Sequence, residues 1–269
     1  MLSAFAGTAA MTHTACPRVS VITPTLNRER WMPALFHVFD AQTYPEKELL
    51  VLDDSTNASR FFGALDDPRV VYLHSDVALT IGEKRNRLVE RATGEIVVCF
   101  DDDDFYAAHY LDTVVRLLQG HDAVKLGAWF VYAERDRSLY YWDTATLSDI
   151  HFLVAPDRIS PVRGSSAPAD FVHKNLNGYG FSLAFWKRCF GTARYPAENH
   201  GEDLGFVLRL RDEARSIRYA RDESGMVLHI LHSGNTSSIL PQYRLPGFML
   251  GTFFPGLGAY FDAVGRGSA

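Results

Sequence analysis

From Arg18 to Gly120 the chain alternates short apolar runs with longer segments whose apolar residues recur at helical spacing. "RVSVITPT" reads as a buried strand ended by Pro24, and "RWMPALFHVFDAQ" follows with Trp31, Leu35, Val38 and Phe39 on one helical stripe. "KELLVLDDS" is a second strand, closing on Asp53 and Asp54. A short helix, "ASRFFGAL", leads to a third strand at "RVVYLH". In "TIGEKRNRLVERATG" Thr80 and Glu83 have capping-box spacing, Leu88, Val89 and Ala92 form the stripe, and Gly94 reads as the helix stop. "EIVVCF" is the fourth strand. "AAHYLDTVVRLLQG" is the next helix, with Leu111, Val114, Val115 and Leu118 on one face.

Strand–helix alternation of this kind predicts an α/β fold with a mostly parallel sheet covered by helices on both faces. Ligands of such sheets bind beyond the carboxyl ends of the strands. The polar groups of this half gather there: Thr23 and Thr25 after strand one, Asp53 and Asp54 after strand two, Asp101 to Asp104 after strand four.

The pattern loosens from about Lys125. "WFVYAERDRSLYYWD" and "NLNGYGFSLAFWKR" are aromatic and glycine-rich. "GEDLGFVLRLRDEA" is a helix with Leu204, Val207, Leu208 and Arg211 at helical spacing, and "SIRYA" and "GMVLHIL" read as strands. No internal repeat or long linker appears. The reading is a flexible tail over 1–17 and one domain over 18–269. Within that domain, 18–124 is the regular half, 125–240 an irregular half, and 241–269 an apolar tail broken by Pro and Gly. That tail suits a lid, a homodimer contact or a membrane-surface contact.

Composition narrows the classes. A net charge of -5 argues against a nucleic-acid binder. Three widely spaced cysteines without a C-x-x-C suit a reduced, cytoplasmic protein. "MLSAFAGTAAMTHTACP" lacks a basic n-region, Met11 is an alternative start, and no apolar run reaches membrane-spanning length. Peripheral contact with the inner membrane face stays open. The sequons at Asn57 and Asn235 then carry no glycan.

The run "FDDDDF" raises the main chemical question. In an extended segment Asp101 and Asp103 share a face while Asp102 points elsewhere. Crowded carboxylates raise each other's pKa, and a hard divalent cation such as Mg²⁺ or Mn²⁺ relieves the cost. Mg²⁺ is commonly held by one or two carboxylates plus substrate phosphates, which fits a nucleotide diphosphate. The alternative is a solvated acidic turn. Its position, ending a buried strand on the ligand edge, favours the metal.

Four pieces in order, "VSVITPTLNR", "LLVLDDST", "IGEKRNRLVERATGEIVVCFDDDD" and "GEDLGFVLRLRD", resemble the nucleotide-sugar-binding half of an inverting, family-two glycosyltransferase with a GT-A fold. They span about 18–213, with a loose match between about 125 and 195, and the resemblance implies that 18–124 is the nucleotide-sugar-binding half and 125–240 the acceptor and catalytic half. The resemblance implies that Thr23, Pro24 and Thr25 line the base and ribose pocket. Asp53 or Asp54 would accept a hydrogen bond from the base, commonly uracil. Asp101 to Asp103 match the DXD motif, with Asp103 and Asp101 as metal ligands and Asp102 near the ribose. Lys84 and Arg85 would face the nucleotide, or form a solvated basic helix face. Glu202 and Asp203 suit a helix first turn on dipole grounds alone. By resemblance Asp203 is the general base and Glu202 orients the acceptor.

His229 and His232 lie three apart in "VLHILHSGNTS", so on a strand they face opposite sides. By the same resemblance a late His completes the metal shell, His232 being preferred. "NLNGYGF" offers Tyr179 as a sugar or acceptor contact. The implied activity is metal-dependent transfer of a sugar, from a UDP-sugar for preference, to an acceptor hydroxyl with inversion. The rivals are a non-catalytic nucleotide-sugar-binding relative and a sugar-nucleotide pyrophosphorylase. The latter is disfavoured because "TPTLNRERW" has no glycine. A Rossmann oxidoreductase fails for want of G-x-G-x-x-G.

Overall fold

The computed structural model describes residues 16–155, 157–235 and 238–267. Most of the N-terminal tail read from the sequence lies outside them. The strands are β1 Val19–Thr25, β2 Lys47–Asp53, β3 Val70–His74, β4 Ile96–Cys99, β5 Phe105–Tyr106, β6 Ala123–Ala133, β7 Ser138–Asp143, β8 Ile150–Val154, β9 Ile159–Arg163, β10 Leu183–Trp186, β11 Ile217–Arg221, β12 Val227–Leu231 and β13 Tyr243–Leu245. The helices are α1 Met32–Asp40, α2 Arg60–Ala64, α3 Ile81–Arg91, α4 Tyr110–Leu117, α5 Phe171–Asn177, α6 Glu202–Asp212, α7 Met249–Phe253 and α8 Leu257–Arg266.

The main sheet runs β13-β7-β6-β10-β4-β1-β2-β3, with β11 and β12 paired to successive stretches of β6 and β5 to β12. The four strands of the first half are mutually parallel. Antiparallel pairing enters with β10, inserted between β4 and β6, and with the β6–β7 hairpin. Strand alternation divides the core. Val19, Val21, Leu49, Val51, Ile96 and Val98 pack with α1, α4 and α8 on one face. Ile22, Leu50, Leu52, Val97 and Cys99 pack with α3 and α6 on the other.

Local chemistry sets the ends of the elements. Thr80 and Glu83 form the expected capping box of α3. Pro24 does not end β1, which continues to Thr25 opposite Asp53. Ile22 already gives its carbonyl to Phe100, beyond the last β4 pair. Pro24, two residues on, faces that same unpaired side, where a missing N–H costs nothing. Gly94 is no helix stop either. The α3 cap is Ala92, and a Cβ on Gly94 would sit 2.6 Å from the Arg18 carbonyl oxygen, so glycine is needed for close approach to β1. In α6 the buried face is Phe206, Val207 and Leu210, with Leu204 and Leu208 half-buried at its edge. Within the C-terminal segment, α8 packs on α1 and buries Leu257, Tyr260, Ala263 and Val264, while Phe248 beside α7 is 79% exposed.

Candidate active site

Helix α3 delivers consecutive side chains to the carboxyl edge of the sheet. Lys84 and Arg85 are both buried, which removes the solvated-face alternative. Lys84 Nζ donates to Asp54 Oδ1 at 2.7 Å and to the Thr25 carbonyl at 2.9 Å, tying α3 to the ends of β1 and β2. Arg85 lies 3.4 Å from Asp101 Oδ1 and, through Nε, 3.4 Å from Glu202 Oε1. Asn86 exchanges hydrogen bonds with both backbone groups of Tyr195. The segment after Tyr195 is held further by Gly82, whose N–H donates to the Glu198 carbonyl.

The strand-one and strand-two residues form the wall behind the edge. Thr23 is buried, with its hydroxyl unpartnered. Thr25 donates to Asp102 Oδ2 at 2.5 Å. Of residues 23–25, Pro24 alone is partly exposed. Asp53 accepts from Ser55 N (2.9 Å), Ser55 Oγ (2.5 Å) and Tyr72 OH (2.8 Å). Asp54 accepts from Leu79 N as well as Lys84. Burial opposes ionisation of Asp54, but these donors outweigh it and hold the carboxyl below its usual range.

The four aspartates do not behave as an extended segment. Residues 102 and 103 form a turn, so Asp101 and Asp103 do not converge as the alternation rule suggested. Asp101 turns to Arg85. Burial and the neighbouring Asp104 and Asp103 lift its carboxyl to about 7 despite Arg85. Asp102 and Asp103 instead share Arg28, at 3.9 and 3.5 Å. Asp103 Oδ2 meets His232 Nε2 at 3.0 Å. Asp104, fully buried, takes His229 Nδ1 at 2.9 Å and the Ile230 N–H at 2.9 Å. Burial works against a charge on His229, yet Asp104 outweighs it and raises the imidazole to about 9. His229 and His232 thus serve different aspartates. His232 stacks on Trp31 with ring centroids 4.6 Å apart, and His229 on Phe181 at 4.9 Å.

Among the described residues no three His, Cys, Asp or Glu side chains are grouped to hold a metal. Two Asp–His pairs do meet, Asp104 with His229 and Asp103 with His232; Asp104 is fully buried and also accepts from the Ile230 N–H, which leaves Asp103 and His232 as the candidate pair. Adjacent ligands of an octahedral Mg²⁺, each about 2.1 Å from the ion, stand about 3.0 Å apart. That is the Asp103–His232 separation, so the pair fits a cation whose remaining ligands are phosphate and water. Asp101, turned to Arg85, is not part of this pair.

The second acidic group opens α6 after Gly201, which has φ 79°. Glu202 is buried against Arg85, and burial raises its carboxyl above the usual range despite that partner. Asp203 is half-buried and accepts from the neighbouring Leu204 N–H at 2.7 Å. Tyr179 has φ 68°, with its ring among Trp129, Trp142 and Phe181. Two cations escaped the sequence reading. Arg28 stood inside the quoted "TLNR" piece. Lys125, the lone charge in the apolar run "AVKLGAWFVYA", was visible as an anomaly.

A parallel first half, an acidic turn at the end of its fourth strand and a second acidic pair opening a helix beside it are the arrangement of a GT-A-type fold. Residues 20–177 match the family described as Glycosyl transferase family 2. The chain belongs to that family and is a glycosyltransferase acting on nucleotide sugars, which removes the pyrophosphorylase alternative. It is 29% identical over 222 residues to the colanic acid biosynthesis glycosyl transferase WcaA of Escherichia coli K12, covering 80% of this chain and 74% of that one. Over 202 residues it is 30% identical to the GalNAc(5)-diNAcBac-PP-undecaprenol beta-1,3-glucosyltransferase of Campylobacter jejuni, covering 73% of this chain and 60% of that one. Among solved structures, S. aureus TarS with UDP-GlcNAc superposes with TM-score 0.59 at 18% identity, over 81% of this chain and 60% of TarS. The mannosyltransferase PcManGT of Pyrobaculum calidifontis, in complex with GDP-Man and Mn²⁺, gives 0.57 at 19% identity, over 83% and 59%. The chain therefore spans about three fifths of the length of several proteins it resembles.

Proposed function

We propose that this chain transfers a sugar from a UDP-sugar to an acceptor hydroxyl with inversion, using Asp203 as general base. One observation carries the reading: Arg85 links Asp101, of the acidic turn after β4, to Glu202, of the α6 first turn. The two acidic groups therefore face one edge. Glu202 is committed to that cation. Asp203, bonded to its own helix, is the carboxylate left to take a proton.

The nucleotide lies along the β1–β2 edge over Pro24, with Asp53 and Asp54 shaping the wall behind it. Asp103 and His232 would hold Mn²⁺ or Mg²⁺, with Asp102 toward the ribose. Such a cation supplies charge neutralisation for the departing diphosphate. The acceptor oxygen forms a bond to C1 as the C1–diphosphate bond breaks. The electron pair leaves with the diphosphate and the hydroxyl proton goes to Asp203. The UDP preference is supported by TarS, solved with UDP-GlcNAc. The relative from Campylobacter is named for an undecaprenyl-diphosphate-linked acceptor. A saccharide on a diphospholipid, met at the inner membrane face, is the acceptor class we favour. No helix among the described residues is long and apolar enough to cross a membrane.

Asp203→Asn tests the assignment. Donor binding should stay within about threefold of wild type while turnover falls about 10²- to 10⁴-fold. Unchanged turnover refutes the base.

A further inference from the structure

The mechanism above leaves unused the most deeply buried cation of the molecule. Lys125 sits near the start of β6, flanked by β10 on one side and β11 on the other, and has no exposed surface. An ammonium in such a place needs a reason, since an unpaired buried charge is costly. Its Nζ donates to the Tyr179 carbonyl at 2.8 Å and to Ser182 Oγ at 2.6 Å. Ser182 Oγ in turn donates to the Tyr179 carbonyl at 3.0 Å. The amine is thus spent on closing one turn, Tyr179 to Ser182, whose first residue is held in the left-handed region.

That turn stands between the two acidic groups. A Cβ on Gly180 would lie 2.5 Å from Arg85 Nη2, so the turn rests on the guanidinium that joins Asp101 to Glu202. Phe181 stacks on His229, the partner of Asp104. Its carbonyl accepts from Tyr106 OH at 3.4 Å. Burial draws the Lys125 amine down to about 8, and Asp203 is the largest of the charges that oppose this.

We propose that Lys125 is a positioning residue for the transfer step: its ammonium fixes the Tyr179–Ser182 turn against Arg85, the partner of Glu202 next to Asp203, so that the base serves the acceptor hydroxyl rather than water. The proposal rests on the reading of Asp203 as base. A merely structural lysine would change stability, with transfer and hydrolysis of the donor falling together. A positioning lysine changes their ratio.

The test compares Lys125→Met, Ser182→Ala and Asp203→Asn in the full chain. Hydrogen exchange of amides 180–182 reads the turn without needing turnover. UDP release from UDP-glucose with Mn²⁺, with and without a synthetic GlcNAc-diphospholipid, reads hydrolysis and transfer. In Lys125→Met we expect exchange at 180–182 to rise at least tenfold, UDP affinity to stay within threefold, and the transfer-to-hydrolysis ratio to fall at least tenfold. In the Asp203→Asn background Lys125→Met should add less than threefold, because both act on one step. Should Lys125→Met not fold, Ser182→Ala decides, with an expected three- to tenfold fall in the same ratio and faster exchange at 180–182. Wild-type exchange and ratio in the folded variants overturn the proposal. An active Asp203→Asn overturns the base reading instead, and absence of any UDP release by wild type overturns the donor reading. In both of those cases the exchange arm still judges Lys125.

Discussion

Lys84→Met removes a buried cation and leaves its partner in place. The Lys84 and Asp54 side chains are 3% and 2% exposed and 2.7 Å apart. Breaking a buried pair from one side costs about 3–5 kcal/mol. The stranded carboxyl can instead take a proton, which caps the loss. For an unfolded Asp pKa near 3.9, protonation at pH 7 costs about 4 kcal/mol. Methionine keeps the packing of the stem, and the Thr25 carbonyl loses a donor worth about 1 kcal/mol. The expected penalty is therefore about 3–4 kcal/mol at pH 7, or a Tm lower by about 6–16 °C for a chain of this size. The pH dependence follows from sign. Asp54 has a depressed carboxyl in the wild type, so its contribution is present above the unfolded pKa and is lost as pH falls through the folded value. In the variant the stranded carboxyl protonates, so the gap between the proteins should narrow by about 1 kcal/mol or more per pH unit below pH 6. Urea unfolding at pH 7, 6 and 5 measures it, and Asp54→Asn added to Lys84→Met should recover at least half. A penalty under 1 kcal/mol, or a gap independent of pH, would show that the pair is hydrated and the argument wrong.

Gly82→Ala should abolish turnover and lower Tm, because its Cβ would lie 1.7 Å from the Pro196 carbonyl oxygen and push α3 from the segment leading to α6; wild-type kinetics would refute this coupling. Gly94→Ala meets the Arg18 and Ser20 backbone within 2.8 Å and should cost about 1–3 kcal/mol in urea unfolding, with UDP affinity unchanged. UDP at a hundred times its Kd should stabilise the wild type by about 2.7 kcal/mol with Mn²⁺. EDTA, Asp103→Asn or His232→Ala should each remove most of that shift in a thermal assay, and a shift that survives all three would exclude the Asp103–His232 pair as the metal site.

The first half of the fold was legible because both its periodicities are local. Strands buried on both faces read as continuous runs, and helix stripes as i, i+3, i+4 recurrences. What alternation could not give was strand β10, which leaves a glycine-rich stretch to pair with β4 and β6 across long sequence distance. Nor could it show that β6 is buried along all eleven residues, which erases the period-two signal. The site divides the same way. Aspartates ending strands were readable, whereas Arg28, Lys125 and Arg85's link to Glu202 depend on side-chain reach across elements. Gly94 shows the converse, a residue seen correctly as special but for the wrong reason, since turn chemistry and close approach leave the same letter.

Four consecutive aspartates at the mouth of a core would be untenable as a shared charge. Two carboxylates 4 Å apart repel by about 4 kcal/mol at an effective dielectric of 20. The turn at 102–103 spreads the four carboxyls over several partners: Arg85 for Asp101, Thr25 and Arg28 for Asp102, His232 and the same Arg28 for Asp103, His229 for Asp104. The deepest carboxylate is the best satisfied, and it pins β12 through the Ile230 N–H. His232 directly follows that strand, so the residue that anchors the strand also sets where the late histidine stands. Asp104 is therefore a structural member of the run, and Asp103 is the one that meets the late histidine. Four consecutive aspartates are tolerable here because the fold gives each a polar partner, with Arg28 shared by Asp102 and Asp103, and because burial holds the carboxyls of Asp101 and Asp102 above their usual range.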